Sequence, residues 1–142
     1  MSSRIQLQVV GRVLTAIALA VMAVIHLRLY STYDYRAIHA IGALFLANGI
    51  AGAVLCLAML GVPSRLVGLT ALASSGLLAA TFAGFVIALQ HPLFGFQDSI
   101  RAPHAWTALI DEAAGAVIAL VIAAMSLRGG ATRAVAGTWR RA

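Results

Sequence analysis

Lysine is absent from this sequence, acids number only four, and a single cysteine, Cys56, stands alone. One thiol cannot close an intramolecular disulfide or form a CxxC redox pair, so chemistry that needs two thiols within one chain is excluded. Charged residues make up 10% of the 142 positions, against about 25% in soluble globular domains. A water-soluble domain is therefore excluded. There is no Walker loop, no GxSxG elbow and no phosphatidyltransferase-type acid cluster, which makes an enzyme the weaker class of function. What fills the space instead is apolar sequence: 62% hydrophobic residues and a mean hydropathy of +0.97.

That apolar content is organised into runs. A hydrocarbon core of about 30 Å needs about 20 apolar residues to cross it as a helix. Four such runs are present, at about 13–29, 37–60, 66–89 and 105–127. The reading is all-α: one integral membrane domain over 1–142, a four-transmembrane-helix bundle with short connections. The longest connection, QHPLFGFQDSIRAP, lies between the third and fourth helices and suits a segment that lies on the membrane surface or caps the bundle. A polar lead precedes the first run, and a tail at 128–142, rich in Arg, Gly and Thr, is expected to be flexible or interfacial. An arginine followed by an apolar run also describes a signal peptide. This run, however, ends in His26, Arg28 and Tyr30 rather than in small residues, and is expected to be a retained helix.

The net charge of +6 comes entirely from arginine. In a soluble protein such a balance would suggest nucleic acid. Here the arginines flank apolar spans, so they read as topology signals beside anionic headgroups, and no nucleic-acid partner is expected. With both termini on one side, Arg4, Arg12, Arg65, Arg128, Arg133, Arg140 and Arg141 share that side, and Arg28, Arg36 and Arg101 lie opposite. The excess places both termini in the cytoplasm, N-in and C-in. Arginine in place of lysine, with abundant Ala and Gly, fits a GC-rich genome. Three tyrosines in YSTYDYR form an interfacial belt on the opposite side.

The same topology gathers the titratable groups in the outer half. Asp34, Asp98, Asp111 and Glu112 belong there, as do His26, His39, His91 and His104. Asp111 and Glu112 lie inside the fourth span, where ionisable groups are costly and usually face a protein interior or a wet cavity. His104, Ala108, Asp111 and Glu112 fall at i, i+4, i+7 and i+8, one face of a helix. His26 and Tyr30 share a face of the first span, and His39 opens the second. The candidate polar pocket is thus His26, Tyr30, His39, Asn48, His104, Asp111 and Glu112, open outward, with Phe94 and Phe96 above it.

Several chemistries fit such a pocket. Imidazole with carboxylate suits a transition metal, although no HxxxH or ExxH pair stands on one helix. A haem would need histidines on facing helices, His26 with His39 or His104. A buried Asp111 or Glu112 could serve a proton-coupled solute site. Against these stands a structural network in which the acids pair with Arg28, Arg36 or Arg101 and the histidines bond to loop carbonyls; no cofactor is then needed. No catalytic residue is assigned. Two small-residue stripes, Gly76-x3-Ala80-x3-Gly84 and Ala47-x3-Ala51, read as helix-packing faces. Ser74 and Ser75 can bond to their own helix.

The run IGALFLANGIAGAVLCLAMLGVPSRLVGLTALASSGLLAATF, a glycine-rich helix, a short Gly-x-Pro-Ser-Arg turn and a second small-residue helix, resembles the DoxX-like group of four-helix bacterial membrane proteins. HLRLYSTYDYRAIHAIGALFLAN is similar to four-span proteins of actinobacteria. The glycine-rich tail of the DoxX-like group with its Tyr-Ser-Leu-Asp ending does not appear. The resemblance implies association with membrane redox machinery and no particular site residues. Two functions are expected from all this. The first is a non-catalytic subunit or assembly factor of a larger envelope complex, partnered by the bilayer and by other membrane subunits or further copies of itself. The alternative is a small-solute or proton-coupled transporter, or a metal- or haem-binding membrane protein.

Overall fold

A computed structural model describes residues 3–138, with side chains at position 3 and over 6–128. It contains four long helices, α1 (Ser3–Thr32), α2 (Ile41–Gly61), α3 (Val67–Gln90) and α4 (Ala105–Thr138), and one 3₁₀ turn at Tyr35–Ala37. All four helices are long and apolar enough to cross a membrane. The described residues contain no named strand; one isolated bridge, Leu93 to Phe96, closes a turn.

Both end helices outrun their expected spans. The lead is helical from Ser3, because its Leu7, Val9 and Val10 continue the apolar run, and all three are exposed as lipid-facing residues would be. Likewise α4 continues through residues expected to be a loose tail and reaches Thr138. Its 34 residues are about 51 Å long at 1.5 Å per residue, well beyond the ~30 Å hydrocarbon core. Of the arginines counted for orientation, Arg140 and Arg141 lie outside the described residues, as do the side chains of Arg4 and Arg133.

The helices run alternately up and down. α1 is the central element, packed along α2 on one side and α4 on the other, while α3 packs on α4; α2 and α3 meet only sparsely. The core is built where α1 meets the rest: Leu19 and Met22 of α1, Met59 of α2, Leu78 of α3 and Ile122 of α4 are all buried. Two glycines of α2 allow its close approach to α1. A Cβ on Gly52 would strike the Met22 methyl and come to 3.1 Å from the Leu19 carbonyl oxygen, and one on Gly49 would lie 2.6 Å from Leu27. The expected stripes do not serve this purpose. Nothing lies within 4 Å of a Cβ at Gly76 or Gly84, and Ala47 is exposed. Small residues recur by composition in so apolar a chain, and spacing alone does not say which face meets a helix.

Polar groups tie the helices at two further points. The Arg12 guanidinium donates from Nε to the Met59 carbonyl at 2.9 Å and from Nη2 to Leu60 and Val62 at 3.2 and 3.1 Å. It thereby satisfies carbonyls left without partners at the C-terminus of α2, where the helix dipole also favours a cation. Ser74 donates to Thr70 in its own helix, but Ser75 reaches across to the Ala116 carbonyl of α4 at 2.9 Å.

At the opposite end the connections are tightly turned. Between α1 and α2 the Ile41 amide bonds the His39 carbonyl across Ala40, at φ 58° and ψ −47°, the rare γ-turn geometry. Between α3 and α4, Leu93 and Phe96 exchange hydrogen bonds of 2.7 and 2.9 Å around Phe94 and Gly95, both at positive φ. The Asp98 amide then bonds back to Ala88 of α3 at 3.0 Å, which folds this connection over the end of the bundle.

Candidate functional site

Where α2 and α3 part, a cavity of about 260 Å³ opens beneath the folded connection. α1 contributes Ile25, His26 and Leu29; α2 contributes Leu44, Phe45 and Asn48; α3 contributes Thr81, Gly84 and Phe85. Its remaining wall is α4, with His104, Ala108 and Glu112, and its roof includes Leu93, Phe96 and Asp98. The walls are largely apolar and the polar groups few, the usual makeup of a ligand site.

Glu112 is its most unusual feature. The side chain is 2% exposed, and Oε2 has no hydrogen-bond partner. Thr81 of α3 shares the lining, with its hydroxyl donating to the Leu78 carbonyl of its own helix at 2.9 Å. No arginine lines the cavity, so an ionised Glu112 has no counter-charge there. A buried carboxylate without a counter-charge is expensive, which makes an ionisable residue within a membrane span a candidate functional group. His26, 7% exposed, donates from Nδ1 to the Met22 carbonyl at 2.9 Å, since that oxygen can only accept. In the neutral ring this leaves Nε2 as an acceptor. The ring lies 5.0 Å from that of Phe45.

The i, i+4, i+8 series His104, Ala108, Glu112 faces the cavity as its spacing predicts, but Asp111, one residue before Glu112, does not line it. Asp111 is half-buried, with an Oδ2 that has no partner. His104 opens α4 at φ 63°, with its Nε2 buried and unpartnered and its ring edge-on to Tyr33 at 6.0 Å. Tyr30 and His39 are not in the lining: Tyr30 is half-buried on α1, and His39 is exposed in the strained turn before α2. Asn48 is in the lining, as is Phe96, whereas Phe94 points away at the tip of its turn.

The expected arginine pairing of Asp111 or Glu112 is not made. Among the described residues the one ion pair is Arg36 with Asp34, 3.2 Å apart and exposed. Arg28 and Arg101 are also exposed, at the surface of the bundle end, where water solvates them better than a buried acid could. The histidine bond to a carbonyl runs within α1 at His26, not to a loop. Among the described residues no three His, Cys, Asp or Glu side chains come together to hold a metal ion. Of the histidine pairs considered for haem, His26 and His104 share the cavity and His39 lies outside it.

Two cavity residues carried no signal in helix periodicity because they sit in connections. Tyr35, in the 3₁₀ turn, lies tilted at 4.9 Å from Phe45 and edge-on at 5.6 Å from Phe96, so rings run without a break from His26 to Phe96. Asp98, in the roof, accepts the Ser99 amide at 2.7 Å. Burial raises the Asp98 carboxyl above the ordinary range, opposed by that amide bond. Burial also raises the Tyr35 phenol, and the nearby Asp98 charge raises it further. In the sequence Asp98 counts among the acids of the outer half and Tyr35 among the tyrosines of YSTYDYR, but neither is placed in the pocket.

Compared with protein-family models, curated proteins and solved structures, the chain matches none.

Proposed function

We propose that this chain is a small polytopic protein of the bacterial cytoplasmic membrane, with both termini in the cytoplasm, that binds a small molecule in the cavity around Glu112. The observation that carries the reading is the buried Glu112 carboxyl, with one oxygen unpartnered, in a cavity that no arginine lines. Apolar walls hold a body, and His26, Asn48, Thr81 and Glu112 orient it. The arginine excess near the termini supports the orientation, although Arg12 is also spent on capping α2.

Service as an accessory subunit is compatible with this site, and the DoxX-like resemblance of 41–82 favours membrane redox machinery as the setting. No nucleophile is paired with a base in the cavity, so binding or transport suits it better than covalent catalysis.

The test is to extract the chain gently from native membranes and identify co-purifying small molecules by mass spectrometry, alongside Gly84→Phe. Gly84 lines the cavity and its Cβ would meet nothing within 4 Å, so a larger side chain there starts in open space. A stoichiometric molecule on the wild-type chain that is missing from Gly84→Phe is expected. Identical small-molecule content in both would overturn the reading.

A further inference from the structure

We propose that the cavity takes a small lipophilic cation, an ammonium carrying an apolar body, which reaches it sideways from the bilayer between α2 and α3. This rests on reading the cavity as a ligand site and names what the site selects.

Charge is the first argument. The chain carries ten arginines and four acids. Against that excess, the lining holds two carboxyls, Glu112 and Asp98, and no arginine. An anion entering would meet two acids and no arginine. A monovalent ammonium instead supplies the counter-charge that an ionised Glu112 lacks in a lining without arginine. Ring arrangement is the second. Phe45, Tyr35 and Phe96 all line the cavity and adjoin one another, tilted and edge-on, with centroids 4.9 and 5.6 Å apart, and aromatic rings attract cations within about 6 Å of the ring centre. His26 adds an acceptor, since its Nδ1 hydrogen is given to Met22.

Access is the third. α2 and α3 touch little, and the cavity lies in their seam. Leu44 is 41% exposed and Ala80 is exposed, yet both line the cavity, so its wall here is also the lipid-facing surface of the bundle. The end facing water is roofed by Leu93, Phe96 and Pro103. A molecule that partitions into the bilayer meets the seam before it meets the roof.

Benzyltrimethylammonium and neopentylbenzene have the same shape and differ in charge. Equilibrium binding of these two and of benzenesulfonate is measured on the full chain in nanodiscs, with empty nanodiscs as reference. Saturable binding of the cation at least about tenfold tighter than that of its neutral isostere is expected, with none of the sulfonate. Glu112→Gln should weaken the cation by about tenfold or more and leave the isostere unchanged. Asp98→Asn, in the roof and outside the helices, should weaken it in the same direction and serves if Glu112→Gln does not fold. Gly84→Phe should abolish both. Equal binding of cation and isostere, lost in Gly84→Phe, would overturn the cation proposal and leave the cavity reading standing. Cation binding that survives both acid substitutions would also overturn it. No binding of any probe beyond empty nanodiscs would overturn both.

Discussion

Glu112 and Asp111 are neighbours in sequence with different surroundings, because one residue on a helix is a rotation of about 100°. Glu112 lines the cavity and Asp111 does not. Neither has an arginine partner in an ion pair among the described residues. Glu112→Gln and Asp111→Asn should therefore each leave unfolding stability within about 1 kcal/mol, against the ~3–5 kcal/mol lost when a buried pair is broken. Denaturant titration in mixed micelles measures this. A loss in the larger range would mean that a counter-charge holds the acid.

The roof gives a pH dependence. Asp98 holds its proton to higher pH in the folded chain than an unfolded Asp does, because burial penalises the charged form. Deprotonation thus works against folding, so its contribution to stability is lost as pH rises from the ordinary carboxylate value through the raised one. Asp98→Asn should flatten that window in a stability-against-pH series. The same change should move Tyr35 ionisation to lower pH by removing the nearby charge, while burial, the larger cause, keeps it above the ordinary phenol value. Ultraviolet titration of the variant against wild type reads this; an unmoved Tyr35 would mean the two groups do not sense each other. At this scale the sequence revealed residues within spans and hid those in connections. Helix spacing aligned His104, Ala108 and Glu112, whereas Tyr35 and Asp98 depend on turns at positive φ that no periodicity encodes.

Among elements, the spans were legible because length and hydropathy decide membrane helices almost alone. The interfaces between them were not. Lipid and helix faces are both apolar, so a stripe of small residues does not say which face it serves. Gly52 and Gly76 separate the cases. Gly52→Val should cost about 1–3 kcal/mol, as overpacking does, because its Cβ would meet Met22 and the Leu19 carbonyl. Gly76→Val, with nothing within 4 Å of its Cβ, should cost little. Equal losses would contradict the packing of α2 on α1. Arg12 was read as a topology charge, and the distant carbonyls it caps, 47 to 50 positions away, are invisible to local pattern. Arg12→Met should lower stability by about 1.5–3 kcal/mol, the range for hydrogen bonds to a charged donor, with Arg12→Lys recovering part of it. An unchanged unfolding midpoint for Arg12→Met would remove the cap from the account.

For the whole molecule, three apolar helices around a central α1 leave one seam, between α2 and α3, thinly closed. That seam, the roof and Glu112 together define the cavity, and they come from separate stretches of the chain. Sequence reading located the polar end of the bundle by gathering acids and histidines there. It could not tell a paired network from a pocket without arginine, since that distinction rests on which way Arg28 and Arg101 turn. Because Glu112 is the only glutamate in the chain, carbon-13 labelling of glutamate gives one carboxyl resonance in nanodiscs. Titrating benzyltrimethylammonium should move that resonance saturably in wild type and leave it still in Gly84→Phe. A resonance that stays in place while the cation binds would contradict a ligand site at Glu112.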